Sequence, residues 1–154
     1  MDPRRTELIE NVKKALRDKN TEKDILRATV ELIDAFSDRF NWTGFYMLHG
    51  DMLEVGPYIG PVTEHTQITL NKGICGAAAS QKKTIIINDV NADPRFLACS
   101  INTRSEIVVP LMDGETCLGE IDIDSNPPSA FTGDDETMLK AVAKLVVERL
   151  KEIK

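Results

Sequence analysis

The sequence predicts an α+β domain, with a mainly antiparallel sheet of five to six strands and the terminal helices packed on one face. Three observations lead there. Apolar residues recur at helical spacing near both chain ends. Between those ends the period shortens to two, as strands require. Asp113-Gly114 lies between two alternating runs, which is a hairpin signal. Helices that each bury one stripe must cover a sheet face, and that leaves the other face for a ligand pocket.

Each element has its own signal. From Arg5 to Asp18, Leu8, Ile9, Val12, Ala15 and Leu16 fall on one helical face. In "NTEKDILRATVELIDAFSDRF", Thr21 and Asp24 have capping-box spacing, and Ile25, Thr29, Leu32, Ile33, Phe36 and Phe40 form a stripe. "WTGFYML", from Trp42 to Leu48, reads as a strand. His49-Gly50-Asp51 is a turn, and "MLEVGPYIG" returns as a second strand. Gly60 to Thr66 is a loop around Pro61, and "QITL" is a short strand. "NKGICGAAASQKK" reads as a short helix starting near Cys75, and "TIIIN" as a buried strand. "DVNADPRF" holds the turn signal Asp93-Pro94 and one helical turn. "EIVVPLM", Asp113-Gly114 and "TCLGEIDIDS" make the clearest hairpin, and "NPPSAF" breaks the chain. Thr132 and Asp135 repeat the capping-box spacing before a closing helix whose stripe is Met138, Leu139, Val142, Ala143, Val146, Val147 and Leu150.

A chain of 154 residues suits one domain, 1–154, with a core that needs no staples. Its formal net charge of -6 argues against nucleic acid as a partner. No stretch approaches the roughly 18–20 apolar residues of a membrane span. The N-terminus shows no signal core, so a cytoplasmic location and no membrane partner are expected. Three cysteines without a CxxC pair speak against a disulfide framework and a standard zinc site. Neither His49 nor His65 has ligand spacing to another candidate. No metal and no cofactor are expected.

Alternation assigns the sheet faces. Cys117, Gly119, Ile121 and Ile123 point one way, and Leu118, Glu120, Asp122 and Asp124 the other. On the preceding strand, Ile107, Val109 and Leu111 oppose Glu106, Val108 and Pro110. Glu106, Asp122 and Asp124 are thereby expected on the face away from the helices. Two readings stand. The acids either keep one sheet face wet, or they line a covered pocket for a cation. Clustered carboxylates repel, so a site needs a positive ligand or a proton to hold them together. The segments Gly60–Thr66 and Asp89–Arg104 are long enough to cover that face. Trp42 and Tyr46 share one side and Phe45 takes the other. The first two are either core aromatics or the wall of a pocket for an apolar or cationic group.

The cysteines differ in setting. Cys117 is expected on the isoleucine side, as core. Cys75 follows Gly73 at a helix start. It is either packing beside Gly76 and the alanines, or a thiol whose thiolate the helix N-terminus stabilises. Cys99 sits in a polar loop with Ser100, Asn102, Thr103, Arg104 and Ser105 behind it. Packing offers little reason for it there, so it is read as an inert loop thiol or a nucleophile.

"NWTGFY", "GPYIG", "KGICG", "LACS", "SEIVVPL" and "GEIDIDS" occur in order from Asn41 to Ser125. Together they resemble the free methionine-(R)-sulfoxide reductases, single-domain enzymes of GAF fold, and the flanking helices fit as well. The resemblance implies reduction of the free amino acid methionine-(R)-sulfoxide with electrons from thioredoxin. It places Cys99 at the catalytic cysteine and Cys75 at the cysteine of the GxCG motif. Glu106, Asp122 and Asp124 match the acids that bind the substrate ammonium, and Trp42 and Tyr46 match the aromatic side of the pocket. One departure stands out. The family usually has a third cysteine about ten residues before the GxCG cysteine, where this chain has His65, and Cys117 lies where the family typically has an aliphatic residue. The resolving thiol is therefore either Cys75 or an external one.

The expected chemistry starts with attack of the Cys99 thiolate on the sulfoxide sulfur, while Glu106 or Asp124 protonates the oxygen. Methionine leaves, and the resulting sulfenic acid condenses with Cys75 or an external thiol. Ser105 is a candidate for the substrate carboxylate. Two rivals are a non-enzymatic GAF sensor of a small molecule and a thiol redox switch using Cys75 and Cys99. Exposed apolar residues on the terminal helices could support a homodimer.

Overall fold

The computed structural model of this chain describes residues 2–94 and 102–154. Two helices, α1 (Pro3–Leu16) and α2 (Glu22–Phe36), precede the strands β1 (Trp42–His49), β2 (Met52–Ile59) and β3 (Gln67–Thr69). After α3 (Gly73–Gln81) come β4 (Ile85–Ile87), a 3-10 turn (Val90–Ala92), β5 (Ser105–Asp113), β6 (Thr116–Ser125) and α4 (Gly133–Glu152). The sheet has six strands in the order β3-β2-β1-β6-β5-β4, and every neighbouring pair is antiparallel.

Both tight hairpins use glycine where the turn demands it. Gly50 (φ 66°) and Gly114 (φ 60°) each take the first central position of a two-residue loop, between His49–Met52 and Asp113–Thr116. That position needs a positive φ in hairpin turns of the II′ kind.

Helices α1, α2 and α4 cover one face. Leu8, Val12, Ile25, Ile33, Val142 and Val146 meet Phe45, Ile107, Val109, Ile121 and Ile123 there. Helix α3 lies on the opposite face, over a second cluster that includes Trp42, Tyr46, Ile74, Cys75 and Val108. Asp135 binds three parts of the chain together. It closes a capping box with Thr132 at the start of α4, and its Oδ1 accepts from Arg5 Nη1 of α1 at 2.6 Å. Arg39 Nη2 lies 3.6 Å from the same oxygen.

Three expectations are corrected. Helix α2 ends at Phe36, where Ser37 turns extended, so Phe40 lies beyond it and stacks on Phe36 and Phe131. Strand β4 is half-buried, because it forms one edge of the sheet. Cys117 is buried, yet on the face opposite the isoleucines. Leu111 pairs with Gly119 and Met112 with Cys117, which leaves Leu118 as an extra residue. Such a bulge inverts the alternation beyond it. Leu118 packs with the helix-side core and Cys117 with the α3-side cluster. Among the described residues, no helix is long and apolar enough to cross a membrane.

Candidate functional site

Three cross-strand rows build the site. Glu106 pairs with Asp124, which pairs in turn with Trp42; Val108 pairs with Asp122, and that with Gly44; Pro110 pairs with Glu120, and that with Tyr46. Residues directly opposite share a face, so these rows all present their side chains beneath α3. Strand alternation thus gathers four carboxyls on one patch, and all are buried: Glu106 is 2% exposed, Asp124 1%, Glu120 and Asp122 0%. The face is closed rather than wet.

The roof is shaped by the "GICG" segment. Gly73 takes a φ of 65° at the start of α3. A Cβ on Gly76 would stand 2.8 Å from the Thr69 carbonyl oxygen and 3.0 Å from the Asn71 nitrogen. Only glycine lets the helix lie this close to the turn after β3. That seating turns Cys75, the third residue of α3, toward the acids. Its thiol donates to Asp122 Oδ2 at 3.4 Å and lies 4.0 Å from Glu106 Oε2.

Burial dominates the electrostatics. It pushes the Glu120 carboxyl well above its ordinary value of 4.5; the charge of Asp122 adds to the rise, and the Cys75 thiol works against it. Among the described residues neither Glu120 oxygen has a hydrogen-bond partner within normal distance and angle, and the Cys75 thiol is its nearest source of relief. Asp122 is raised as well, chiefly by burial, with Glu106, Cys75 and Asp124 pulling the other way through hydrogen bonding. A patch of this kind calls for protons or a bound cation. One ligand atom each from Cys75, Glu106 and Asp122 lie within 4.8 Å of one another. An ammonium group could donate to the carboxylates there, whereas a metal ion would first have to displace the thiol proton.

Aromatic rings form the side of the patch. Trp42 stacks at 6.1 Å from Tyr46 and at 4.9 Å from Tyr58. Both strand aromatics hold the 60–66 loop: Trp42 Nε1 donates to the Pro61 carbonyl at 3.1 Å, and Tyr46 Oη to the His65 carbonyl at 2.8 Å. His65 thus meets the aromatic wall through its backbone.

The structure brings Trp42, Tyr46, Cys75, Glu106, Asp122 and Asp124 together on one buried side of the sheet. Cys99 lies outside the described residues. Among the described residues, Val90 N donates to the Arg104 carbonyl at 2.8 Å, two residues before Glu106. Ser105 corrects an expectation. It has the parity of Ile107, and its hydroxyl donates to the Pro127 carbonyl at 2.7 Å and accepts from Ala130 N at 3.3 Å. It secures the 127–130 loop and does not face the acids.

Two neighbours escaped the sequence reading. Glu120 carries the same alternation as Asp122 and Asp124, and that parity is the signal that could have included it. Tyr58 gives no such signal, because β2 shifts register between its contacts with Gly44 and Tyr46.

A buried carboxyl patch roofed by a small helix on a six-stranded antiparallel sheet defines a class. The chain belongs to the GAF-domain family, whose profile matches residues 22–150. Within that family it is similar to free methionine-R-sulfoxide reductases. It is 44% identical over 111 residues to the Saccharomyces cerevisiae enzyme of that name, covering 69% of this chain and 61% of the yeast protein. The chain therefore matches less than two thirds of that relative's length. The Neisseria meningitidis free methionine-R-sulfoxide reductase, solved in complex with its substrate, superposes with a TM-score of 0.91 at 31% identity, covering 98% of this chain and 92% of that one. GAF sensors match too: a putative GAF sensor protein from Burkholderia vietnamiensis gives a TM-score of 0.91 at 32% identity, over 97% of this chain and 95% of that one.

Proposed function

We propose that this protein reduces free methionine-(R)-sulfoxide to methionine, with Cys99 as nucleophile and Cys75 as resolving thiol. One observation carries the reading: four buried carboxyls converge beneath a helix that brings a cysteine to 3.4 Å from one of them. A patch of carboxyls suits a small ligand bearing an ammonium group, and Trp42 and Tyr46 suit its apolar side chain. The similarity to reductases supports the sulfoxide as the ligand.

In this reading the Cys99 thiolate attacks the sulfoxide sulfur, and Glu106 or Asp124 protonates the sulfoxide oxygen. That oxygen passes to the Cys99 sulfur as its bond to the substrate sulfur breaks, so methionine leaves and Cys99 becomes a sulfenic acid. Cys75 then condenses with it, releasing water and leaving a disulfide that thioredoxin reduces by exchange. A peptide-bound methionine sulfoxide has no ammonium to set against the buried acids. Leaving such a charge without its partner costs on the order of 3–5 kcal/mol, which selects the free amino acid.

The test is NADPH consumption with thioredoxin and thioredoxin reductase, comparing the R and S epimers of the free amino acid with a peptide-bound form. Oxidation of NADPH with the free R epimer alone is expected. A GAF sensor would bind a small molecule and show no turnover, and a redox switch would lose thiols to peroxide without any need for the amino acid.

A further inference from the structure

Along the chain, Glu106 lies 31 residues and Asp122 47 residues beyond Cys75. The fold brings them together, so sequence spacing gives no sign of the group they form. One donor atom each from Cys75, Glu106 and Asp122 falls within 4.8 Å of the others, and all three residues are buried. We infer that this group is a binding site for a divalent, sulfur-seeking metal ion of the zinc class, held by the Cys75 thiolate and by carboxylate oxygens of Glu106 and Asp122. The inference does not depend on the reductase reading.

The spacing fits such an ion. Zinc binds thiolate sulfur at about 2.3 Å and carboxylate oxygen at about 2.0–2.2 Å. In a tetrahedral site those lengths put sulfur and oxygen about 3.5 Å apart. Cys75 Sγ stands 3.4 Å from Asp122 Oδ2 and 4.0 Å from Glu106 Oε2. Movement of about half an ångström at the Glu106 carboxyl closes the set.

A second observation points to a cation. Among the described residues, Asp122 Oδ1 and both Glu120 oxygens are buried without a hydrogen-bond partner. Glu120 lies two residues before Asp122 on the same face of β6, and both are 0% exposed. Buried oxygens with unused lone pairs, beside three gathered donors, are what a cation satisfies. Glu120 is the nearest further donor, because the Cys75 thiol acts on its carboxyl as well. The donor types select the ion. Carboxylates alone would suit magnesium or calcium, whereas a thiolate among them favours zinc. Coordination takes the thiol proton, which leaves to solvent as the sulfur becomes a thiolate; nothing is oxidised or reduced.

The experiment titrates the full, reduced chain with cobalt(II) in the absence of substrate. Thiolate bound to cobalt gives a charge-transfer band in the near ultraviolet, so absorbance reads sulfur ligation directly. The band should saturate at one equivalent, vanish when zinc displaces the cobalt, and persist in magnesium at the same concentration. Cys75→Ser should abolish it and Cys117→Ser should keep it. Glu106→Gln and Asp122→Asn should each weaken cobalt binding about tenfold or more, the scale on which even outer-shell partners act. The inference is overturned by the absence of a band, or by a band that zinc leaves or magnesium removes. A band that survives in Cys75→Ser or is lost in Cys117→Ser overturns it too, as does unchanged affinity in either amide variant. Should Cys75→Ser fail to fold, X-ray absorption on the zinc-loaded wild type decides. One sulfur at about 2.3 Å among oxygen neighbours is expected; a shell of imidazole nitrogens, or one without sulfur, overturns the inference.

Discussion

Glu106 and Asp124 face one another directly across the β5–β6 ladder. Two carboxylates in that position oppose the sheet they sit in unless a proton or a cation accompanies them. Each is almost fully buried, at 2% and 1% exposure. The relationship makes sense as a binding device: a cation seated beside both carboxyls turns a local repulsion into affinity. Asp124→Asn should therefore raise KM for methionine-(R)-sulfoxide several-fold. Steady-state kinetics read the effect. An unchanged KM would remove Asp124 from the binding patch.

Cys99→Ser should abolish turnover and leave ligand binding in place, since the acids and the aromatic wall do not depend on that sulfur. Calorimetric titration with methionine-(R)-sulfoxide measures the second half of the statement. Retained stereospecific reduction by this variant would exclude Cys99 as the nucleophile.

Glu120→Gln tests the buried proton through stability. The Glu120 carboxyl is raised from its ordinary value of 4.5, so above that value the unfolded chain gives up a proton that the folded chain keeps. Stability then falls as pH rises, by up to about 1.4 kcal/mol per pH unit, until Glu120 itself ionises. The variant lacks this loss. Its stability relative to wild type should be flat in acid and improve steadily above the ordinary glutamate range, as urea unfolding across pH would record. A pH-independent difference would mean that Glu120 is not held neutral.

Gly76→Ala addresses the roof. The new methyl would press on the Thr69 carbonyl at 2.8 Å, a backbone atom that cannot swing aside. Overpacking of this kind costs about 1–3 kcal/mol. Helix α3 must lift, which lengthens the Cys75–Asp122 hydrogen bond. The expected result is lower stability together with slower Cys75–Cys99 disulfide formation under peroxide; normal rates of that step would show that the roof tolerates the shift.

The placement of Glu106, Trp42, Tyr46, Asp122 and Asp124 was legible in the sequence because alternation runs unbroken through those stretches. Cys117 was not, because one extra residue at Leu118 inverts every assignment beyond it. Nothing in "TCLGEIDIDS" marks that bulge except Gly119, whose φ of 157° is visible only in three dimensions. Tyr58 was hidden by the register shift in β2. Ser105 was misread because its partners, Pro127 and Ala130, lie in a loop more than twenty residues away, and local pattern carries no information about them. The antiparallel sheet and its helical face were readable because period and capping are local properties.

The bond between Arg5 and Asp135 bears on where this molecule can be cut. The GAF profile begins at residue 22, which leaves the first helix outside the matched region. Yet Asp135 is 0% exposed and receives its shortest ion-pair contact, 2.6 Å, from that helix. Trimming the gene to the family's boundary would take away the nearest cation and leave this buried carboxylate with Arg39 at 3.6 Å and the Thr132 cap. The opening helix therefore works as a rivet for the closing one, and the minimal folding unit is longer than the stretch by which kinship is recognised.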